Sequence, residues 1–586
     1  MFEFEQKLIE AKIQAYCSRE NIPLPEMKWN RIPFSAHWGI STSFFQIAAL
    51  EARSGKKVPN VAQRAQEIAE AVVESLGKIE GFEKIEAVRG YLNCYFSTAS
   101  YARRVCDAIL EEKENFGRGP RAGEKVMVEF SQPNTHKALH VGHLRNMILG
   151  DAISNILDFA GYDVVRANYI GDIGLHVIKW LWNYQKRHAG EKPATDTTRW
   201  MGDIYAEADK NYDEDPQAEV EVRELFGRWD RQEPDIVALW KETRQWSLDG
   251  FDQVYRLMGI RFDHVYFESE VEGPGKELVK ELIERGIARD ERPDGAVIIP
   301  LDELVGTKEK YRVLVILRSD GTSLYATKDI PLAIKKFKDY PITRSIYVID
   351  IRQSLYLQQI FKTLELMGYP WAKDCYHLAY EIVNLPGNVT MSSRDGTVVL
   401  LEDLVREATA RALEIVQTKN PDLKLDSQKA VAHAVAVGAI KYSMLSRDNT
   451  KIVTFDWESA LDFNGQAAPY IQYAYVRAGS ILRKLSGPLP GSVEPVNALF
   501  PVEIELVELL SRFPQEVLRA AAEYRPLYLA NLAFDLAKTF NDFYNQCPVL
   551  HADEPTRSVR IRLVAAAKQV IGNCLKLLGI IAPDMM

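Results

Sequence analysis

The sequence predicts an α/β protein built on a parallel sheet, with a small α+β unit before the sheet and an all-α unit after it. Three patterns carry that expectation. Residues 125–170 run strand, helix, strand; the first hundred residues mix helical and strand-like spacing; and from residue 401 onward helix follows helix. A strand that returns through a helix to a second strand is a βαβ unit, and such units build parallel sheets.

At 586 residues the chain has room for three or four folding units. Residues 4–19 and 61–76 carry apolar side chains at helical spacing, and 85–96 has the β-branched and aromatic content of strands. This α+β domain is expected over 1–116, ahead of the turn-rich Phe116-Gly117-Arg118-Gly119-Pro120-Arg121-Ala122-Gly123. Next, 125–130 reads as a buried strand, 144–160 as a helix closed by Gly161, and 163–170 as a second strand. Further strands are expected at 311–317 and 345–351, the latter followed by a helix over 355–367. Residues 180–300, rich in charge and tryptophan, read as a helical insertion within a parallel-sheet domain spanning 117–400. Apolar spacing of three and four through 431–445, 466–484 and 527–544 marks an all-α domain over 401–586, with connecting helices at 401–430.

Hydrophobic residues make up 47% and charged residues 26%, the balance of a globular protein. The N-terminus lacks the basic head and apolar core of a signal peptide, and no apolar run reaches the roughly 18 residues of a membrane span. A cytoplasmic protein with no membrane partner is expected, with a monomer as the default. The six cysteines form no C-x-x-C pair, so neither a disulfide framework nor a zinc site is signalled. A net charge of -9 argues against nucleic-acid binding by bulk electrostatics. From Val431 onward, however, 15 basic residues balance 15 acidic ones, so a nucleic-acid face is easier to place late in the chain.

The first strand runs into Ser131-Gln-Pro-Asn-Thr-His-Lys-Ala-Leu-His140-Val-Gly-His143 and then a helix, which delivers the loop to the carboxyl end of the sheet, where open α/β folds bind ligands. His140 and His143, three apart at a helix start, can share a face, while Gly142 lets a planar group approach the backbone. Unpaired helix amides add partial positive charge. Such an assembly suits triphosphate chemistry, since donors fixed in advance stabilise growing charge without reorganising. No Gly-x-x-x-x-Gly-Lys-Ser/Thr loop or Gly-x-Ser-x-Gly elbow suggests another scheme.

The wording from Val128 to Arg145, together with Gly171-Asp-Ile-Gly174, resembles the class I aminoacyl-tRNA synthetases, and among them the arginyl-tRNA synthetases, around their HIGH motif. Ser319-Asp-Gly-Thr-Ser-Leu-Tyr-Ala-Thr-Lys-Asp-Ile330 resembles that family's amino-acid site. Tyr470-Ile-Gln-Tyr-Ala-Tyr-Val-Arg477 and Phe543-Tyr-Asn-Gln-Cys-Pro-Val-Leu550 resemble its anticodon-binding helices. The resemblance runs from about Val126 to the C-terminus. It implies a Rossmann-type catalytic domain and a ligase that joins L-arginine to tRNA(Arg) at the expense of ATP, with Mg²⁺ accompanying ATP and bound by its phosphates more than by the protein. It also implies that activation requires bound tRNA.

A guanidinium is planar and permanently charged, so its pocket should offer forked carboxylates and an aromatic or hydroxyl partner. Tyr325 and Asp329, four apart on an expected helix, supply that pair, and Glu268 resembles the family's second acidic contact. By the same resemblance Asn134 and Gln353 hold the α-amino group, with Glu129 and Ser131 close by; Gln358 and Gln359 are alternatives to Gln353. ATP is expected at His140, Gly142, His143, Gly171, Asp172 and Gly174, and at the second signature loop. There the family ideal, Lys-Met-Ser-Lys-Ser, is replaced by Thr390-Met391-Ser392-Ser393-Arg394, so both lysines are missing. Either the enzyme is impaired or another cation serves; Lys137 is the favoured substitute, and Arg394 could help. Tyr470, Tyr473 and Arg477 could meet unpaired tRNA bases, although their spacing fits helix packing equally well. The rivals are a cysteinyl-tRNA synthetase, a small-molecule adenylyltransferase, and a tRNA-binding paralogue that has lost catalysis.

Overall fold

The computed structural model describes residues 3–32, 38–53, 60–79, 81–306, 310–385, 389–390, 400–493 and 498–586. They form two compact units. One joins Met1–Gly117 to Tyr473–Glu516 and Leu532–Asn573; the other contains Arg118–Gln472, Val517–Asn531 and Cys574–Met586.

In the second unit a five-stranded, wholly parallel sheet is made of β1 (Lys125–Glu129), β2 (Asp163–Ile170), β3 (His264–Phe267), β4 (Arg344–Asp350) and β5 (Cys375–Tyr380). Their order is β5-β4-β1-β2-β3. The chain works outward from β1 in one direction and then returns to the other side of it with β4. This reversal opens a crevice at the carboxyl ends of β1 and β4, where doubly wound sheets hold their ligands. Helix α1 (Val141–Phe159) follows β1 and is buried nearly all round. It can come so close because Gly150 has no side chain: a Cβ there would lie 2.2 Å from the Phe130 ring.

Helix α2 (Leu175–Asn183) follows β2, and helices α3 (Glu268–Glu284), α4 (Tyr325–Asp339) and α5 (Ser354–Leu366) contribute side chains to the crevice. The approach of α3 to α4 has a local cause. Pro331 has no N–H for the carbonyl of Thr327, four residues earlier, and Gly275 lets the α3 backbone close on that carbonyl, since a Cβ would come within 2.1 Å of it.

Two features depart from the sequence reading. Helices Thr197–Glu214, Ala218–Asp230 and Pro234–Met258 do form the charged insertion, but the insertion does not run on to residue 300. His264–Phe267 is an edge strand of the main sheet, paired with β2; four residues between Asp263 and Glu268 are too few to show alternation. The strand expected at 311–317, found at Val313–Leu317, belongs to a separate antiparallel sheet with Arg289–Asp290 and Val297–Pro300.

The first unit carries a four-stranded antiparallel sheet, including the hairpin Phe82–Val88 and Tyr91–Phe96, against the helix Val61–Leu76. Late helices join it through polar anchors: Arg562 pairs with Asp107 at 2.5 Å, and Arg31 donates to the carbonyl of Ser511 at 3.0 Å. All six cysteines are buried free thiols. No described helix is long and apolar enough to cross a membrane.

Candidate active site

The loop between β1 and α1 is strained and held. Ser131 (φ 79°), Gln132 (φ 49°) and His136 (φ 63°) all adopt left-handed backbone, which costs a non-glycine residue on the order of 1 kcal/mol or more. Their N–H groups therefore leave regular ladders and are taken by side chains: Ser131 donates to Asn146 Oδ1 at 2.5 Å, Gln132 to Asn168 Oδ1 at 3.1 Å and His136 to Ser247 Oγ at 2.9 Å. Tyr255 locks the set, its hydroxyl 2.7 Å from Ser131 Oγ and 3.0 Å from Asn168 Nδ2. Further along, Asn134 and Gly171 form a parallel bridge, and the Thr135 N–H donates to the Gly171 carbonyl at 2.8 Å.

His140 caps α1. Its Nδ1 accepts from the Gly142 N–H at 3.0 Å, while His143 Nδ1 accepts from the His140 N–H at 3.3 Å. With both Nδ1 atoms acting as acceptors, the proton of each neutral ring belongs on Nε2. Burial keeps the rings neutral: it pushes His143 down to about 3 and lowers His140 as well, with the Lys137 charge adding to both effects. Two imidazoles 4.1 Å apart thus present Nε2–H donors without carrying charge. Gly142 is required, since a Cβ would sit 2.6 Å from the His140 ring.

The helix behind them is pinned by Arg145, which is 1% exposed and donates to the carbonyls of Glu381, Lys451 and Asp448 at 2.6, 2.7 and 2.9 Å. Lys137 lies with its ammonium 4.5 Å over the Tyr205 ring. It has no ion-pair partner among the described residues. Leu400 bridges to His140, and the Leu401 N–H donates to the Leu139 carbonyl at 3.1 Å, so the segment following the second signature loop returns to the histidines.

Beside this loop is a cavity of about 310 Å³, within the range of small-molecule sites. Its wall draws on the carboxyl ends of β1, β2 and β4 through Glu129, Tyr169 and Tyr347, on the start of α3 through Glu268, and on α4. Spacings of four, three and four put Tyr325, Asp329, Leu332 and Lys336 on one stripe of α4.

Three carboxylates converge, and two are answered by lysines. Glu129 (2% exposed) pairs with the fully buried Lys336, and Glu268 (7% exposed) pairs with Lys328 at 3.0 Å. Among the described residues Asp329 has only the Tyr356 hydroxyl, which donates at 2.5 Å. Burial first, then repulsion from Glu129 and Glu268, raises Asp329 from 3.8 to about 7. Burial also raises Glu268, partly offset by Lys328. The cavity thus holds one uncompensated carboxylate that a monovalent cation would restore to full charge.

Comparison with known proteins decides the family. The model for tRNA synthetases class I (R), catalytic domain, matches residues 105–457, and that for the DALR anticodon binding domain matches 471–586. The arginine–tRNA ligase of Treponema denticola is 36% identical over 552 residues, 91% of each chain. That of Bdellovibrio bacteriovorus is 37% identical over 510 residues, 85% of this chain and 86% of its own. The solved structure of Thermus thermophilus arginyl-tRNA synthetase is 30% identical, with a TM-score of 0.80 covering 99% of this chain and 100% of that one. The chain belongs to the class I arginyl-tRNA synthetases.

In this arginyl-tRNA synthetase chain the cavity gathers Glu129, Asn134, Gly171, Glu268, Tyr325, Asp329 and Gln353 from distant parts of the sequence. Gln359, one alternative to Gln353, is spent on the Tyr311 carbonyl at 2.6 Å. Two expected residues are occupied elsewhere. Ser131 does not line the cavity, because its hydroxyl bonds Tyr255. Asp172 is fully buried and accepts from Arg244 (2.8 Å) and from the Ser269 N–H (2.9 Å) and hydroxyl (2.7 Å); it knots β2 to the start of α3 and does not line the cavity. Gly174 (φ 115°) caps α2. Met391, Ser392, Ser393 and Arg394 lie outside the described residues.

Sequence reasoning missed Gln132, Tyr169, Tyr347 and Tyr356 in the cavity wall and Lys336 behind Glu129. Only Lys336 left a signal, as the next step of the α4 stripe. Of the late residues, Tyr473 and Arg477 lie on α6 (Ala468–Arg483), in the first unit. The Arg477 guanidinium stacks on Tyr473 (4.6 Å) and on Tyr544 of α7 (Leu527–Gln546; 4.8 Å), and donates to Asn541 at 2.6 Å. Both tyrosines are part-exposed, leaving ring surface open. Tyr470 stands on the same helix and belongs to the second unit.

Proposed function

We infer that the chain is an arginine–tRNA ligase, which converts L-arginine and ATP to arginyl-adenylate and pyrophosphate and then transfers arginine to the 3′-terminal adenosine of tRNA(Arg), releasing AMP. The observation that carries this reading is the single uncompensated carboxylate, Asp329, in a cavity that opens beside two neutral imidazoles.

Asp329 and Tyr325 take the guanidinium, with Glu268 as the second acidic contact. Asn134 and Gln353 accept from the α-ammonium, in the field of Glu129. The substrate carboxylate then faces the histidines. One of its oxygens attacks the α-phosphorus in line with the bond to the β-phosphate; that bond breaks, and pyrophosphate departs with its electron pair. His140 and His143 donate Nε2–H to phosphate oxygens as charge grows there, and being neutral they give up no proton. Lys137, held over Tyr205, supplies the cation that the loop at Thr390 to Arg394 lacks at its lysine positions, and Gly142 leaves room for the adenosine. In the second step a terminal ribose hydroxyl adds to the arginyl carbonyl carbon, loses its proton, and AMP leaves.

Mg²⁺ arrives on ATP, held by its phosphates more than by the protein. Tyr473, Arg477 and Tyr544 offer stacking and donor surface to unpaired anticodon bases. A thermal-shift panel of the twenty amino acids tests the pocket assignment. Arginine alone should raise the unfolding midpoint; a rise with cysteine, or with none of the twenty, would remove it.

A further inference from the structure

The described part of the cavity contains a buried polar atom that neither the fold nor the reading above uses. Tyr169 lines the wall at the carboxyl end of β2, and its hydroxyl is buried with no hydrogen-bond partner. Such a phenol gives up its hydration without return. Among its surroundings Asp329 exerts the largest charge effect, followed by Glu268, Glu129 and Asp172. Among the described residues no side chain answers the hydroxyl, yet the two groups with the largest charge effect on it, Asp329 and Glu268, are those assigned to the guanidinium.

A guanidinium has five N–H donors. Asp329 cannot accept them all, because Tyr356 already donates to its Oδ2, and Tyr325, 73% exposed, stands at the rim. We propose that Tyr169 is a specificity-determining residue of the amino-acid pocket, its phenolic oxygen accepting a guanidinium N–H that Asp329 leaves over. Burial raises the phenol far above its ordinary value, so it remains a neutral hydroxyl whose lone pairs face the ligand. This deepens the arginine reading and rests on it. The hydroxyl discriminates because a side chain without that N–H leaves it unsatisfied in the complex as in the free protein.

The test is Tyr169→Phe in the full-length protein. Because the hydroxyl has no partner to lose, the free variant should unfold at the wild-type temperature or above it, whereas a structural role predicts a drop. The rise in midpoint given by saturating arginine should shrink. In tRNA charging, KM for arginine should rise about tenfold, with the loss falling mainly on KM. The ratio of kcat/KM for arginine over Nω-methylarginine, which keeps the charge but lacks one N–H, should narrow by a similar factor. A midpoint that falls without arginine, or an unchanged KM and ratio, overturns the proposal. Wild-type protein carried in parallel separates the two failures: if it is neither stabilised by arginine nor charges tRNA with it, the arginine reading fails, and if it does both while Phe behaves identically, only Tyr169 is wrongly assigned.

Discussion

The raised Asp329 carboxyl makes arginine binding depend on pH in a direction that can be worked out. In the free protein it titrates at about 7, because burial and the neighbouring Glu129 and Glu268 disfavour its charge. A guanidinium requires the ionised form, so binding draws the pKa down. Below about 7, therefore, free protein is protonated and complex is not, and each binding event releases a proton. With one such group, apparent affinity at pH 8 is close to its limit, at pH 7 about twofold weaker and at pH 6 about tenfold weaker, near 1.4 kcal/mol. His143, pushed to about 3, does not titrate in this window. Two assays suffice: KM for arginine in tRNA charging from pH 6 to 8.5, and calorimetry in buffers of different ionisation enthalpy. Asp329→Asn should abolish the pH dependence and weaken arginine by more than a hundredfold, since the cation loses the cavity carboxylate that no described lysine or arginine pairs with. A flat KM between pH 6 and 8, or proton uptake on binding, would show that Asp329 is not the acceptor.

Other perturbations separate the parts. Lys137→Ala should slow arginine-dependent exchange of pyrophosphate into ATP by about a hundredfold or more while changing ATP affinity far less; near-normal exchange would remove Lys137 as the substitute cation. Tyr205→Leu should reproduce part of that loss and Tyr205→Phe little of it, because the ammonium rests on the ring face. Gly171→Ala places a Cβ 2.2 Å from Asn134 Oδ1; moving that amide should raise KM for arginine about tenfold with little change in the unfolding midpoint, and unchanged kinetics would exclude Asn134 from the α-amino contact.

Much of the fold could be read from local pattern. The helix Val61–Leu76 buries one face, and burial of one face writes a period into sequence; the strand Lys125–Glu129 and the helix Val141–Phe159 are buried nearly all round and were legible as apolar runs of strand and helix length bounded by turn residues. β3 left no such trace, being four residues at a sheet edge. The grouping of Met1–Gly117 with late helices rests on single long-range anchors such as Arg562 to Asp107, which have no period at all. In the site, Tyr325 and Asp329 were legible because one helix carries both. Tyr169, Tyr347 and Tyr356 were not, because a tyrosine on a buried strand or helix looks the same whether its hydroxyl meets protein or ligand. Asp172 shows the converse: its Gly-Asp-Ile-Gly setting suggested a nucleotide, yet its buried carboxylate is engaged by Arg244 and Ser269.

Purified protein, ATP, total tRNA and each of the twenty amino acids in turn provide the most direct measurement. Charging by arginine alone, lost in Asp329→Asn and strongly reduced in Lys137→Ala, is the expected result. Charging by another amino acid, or by none, would contradict the assignment of the cavity to a guanidinium and of the histidine loop to its activation.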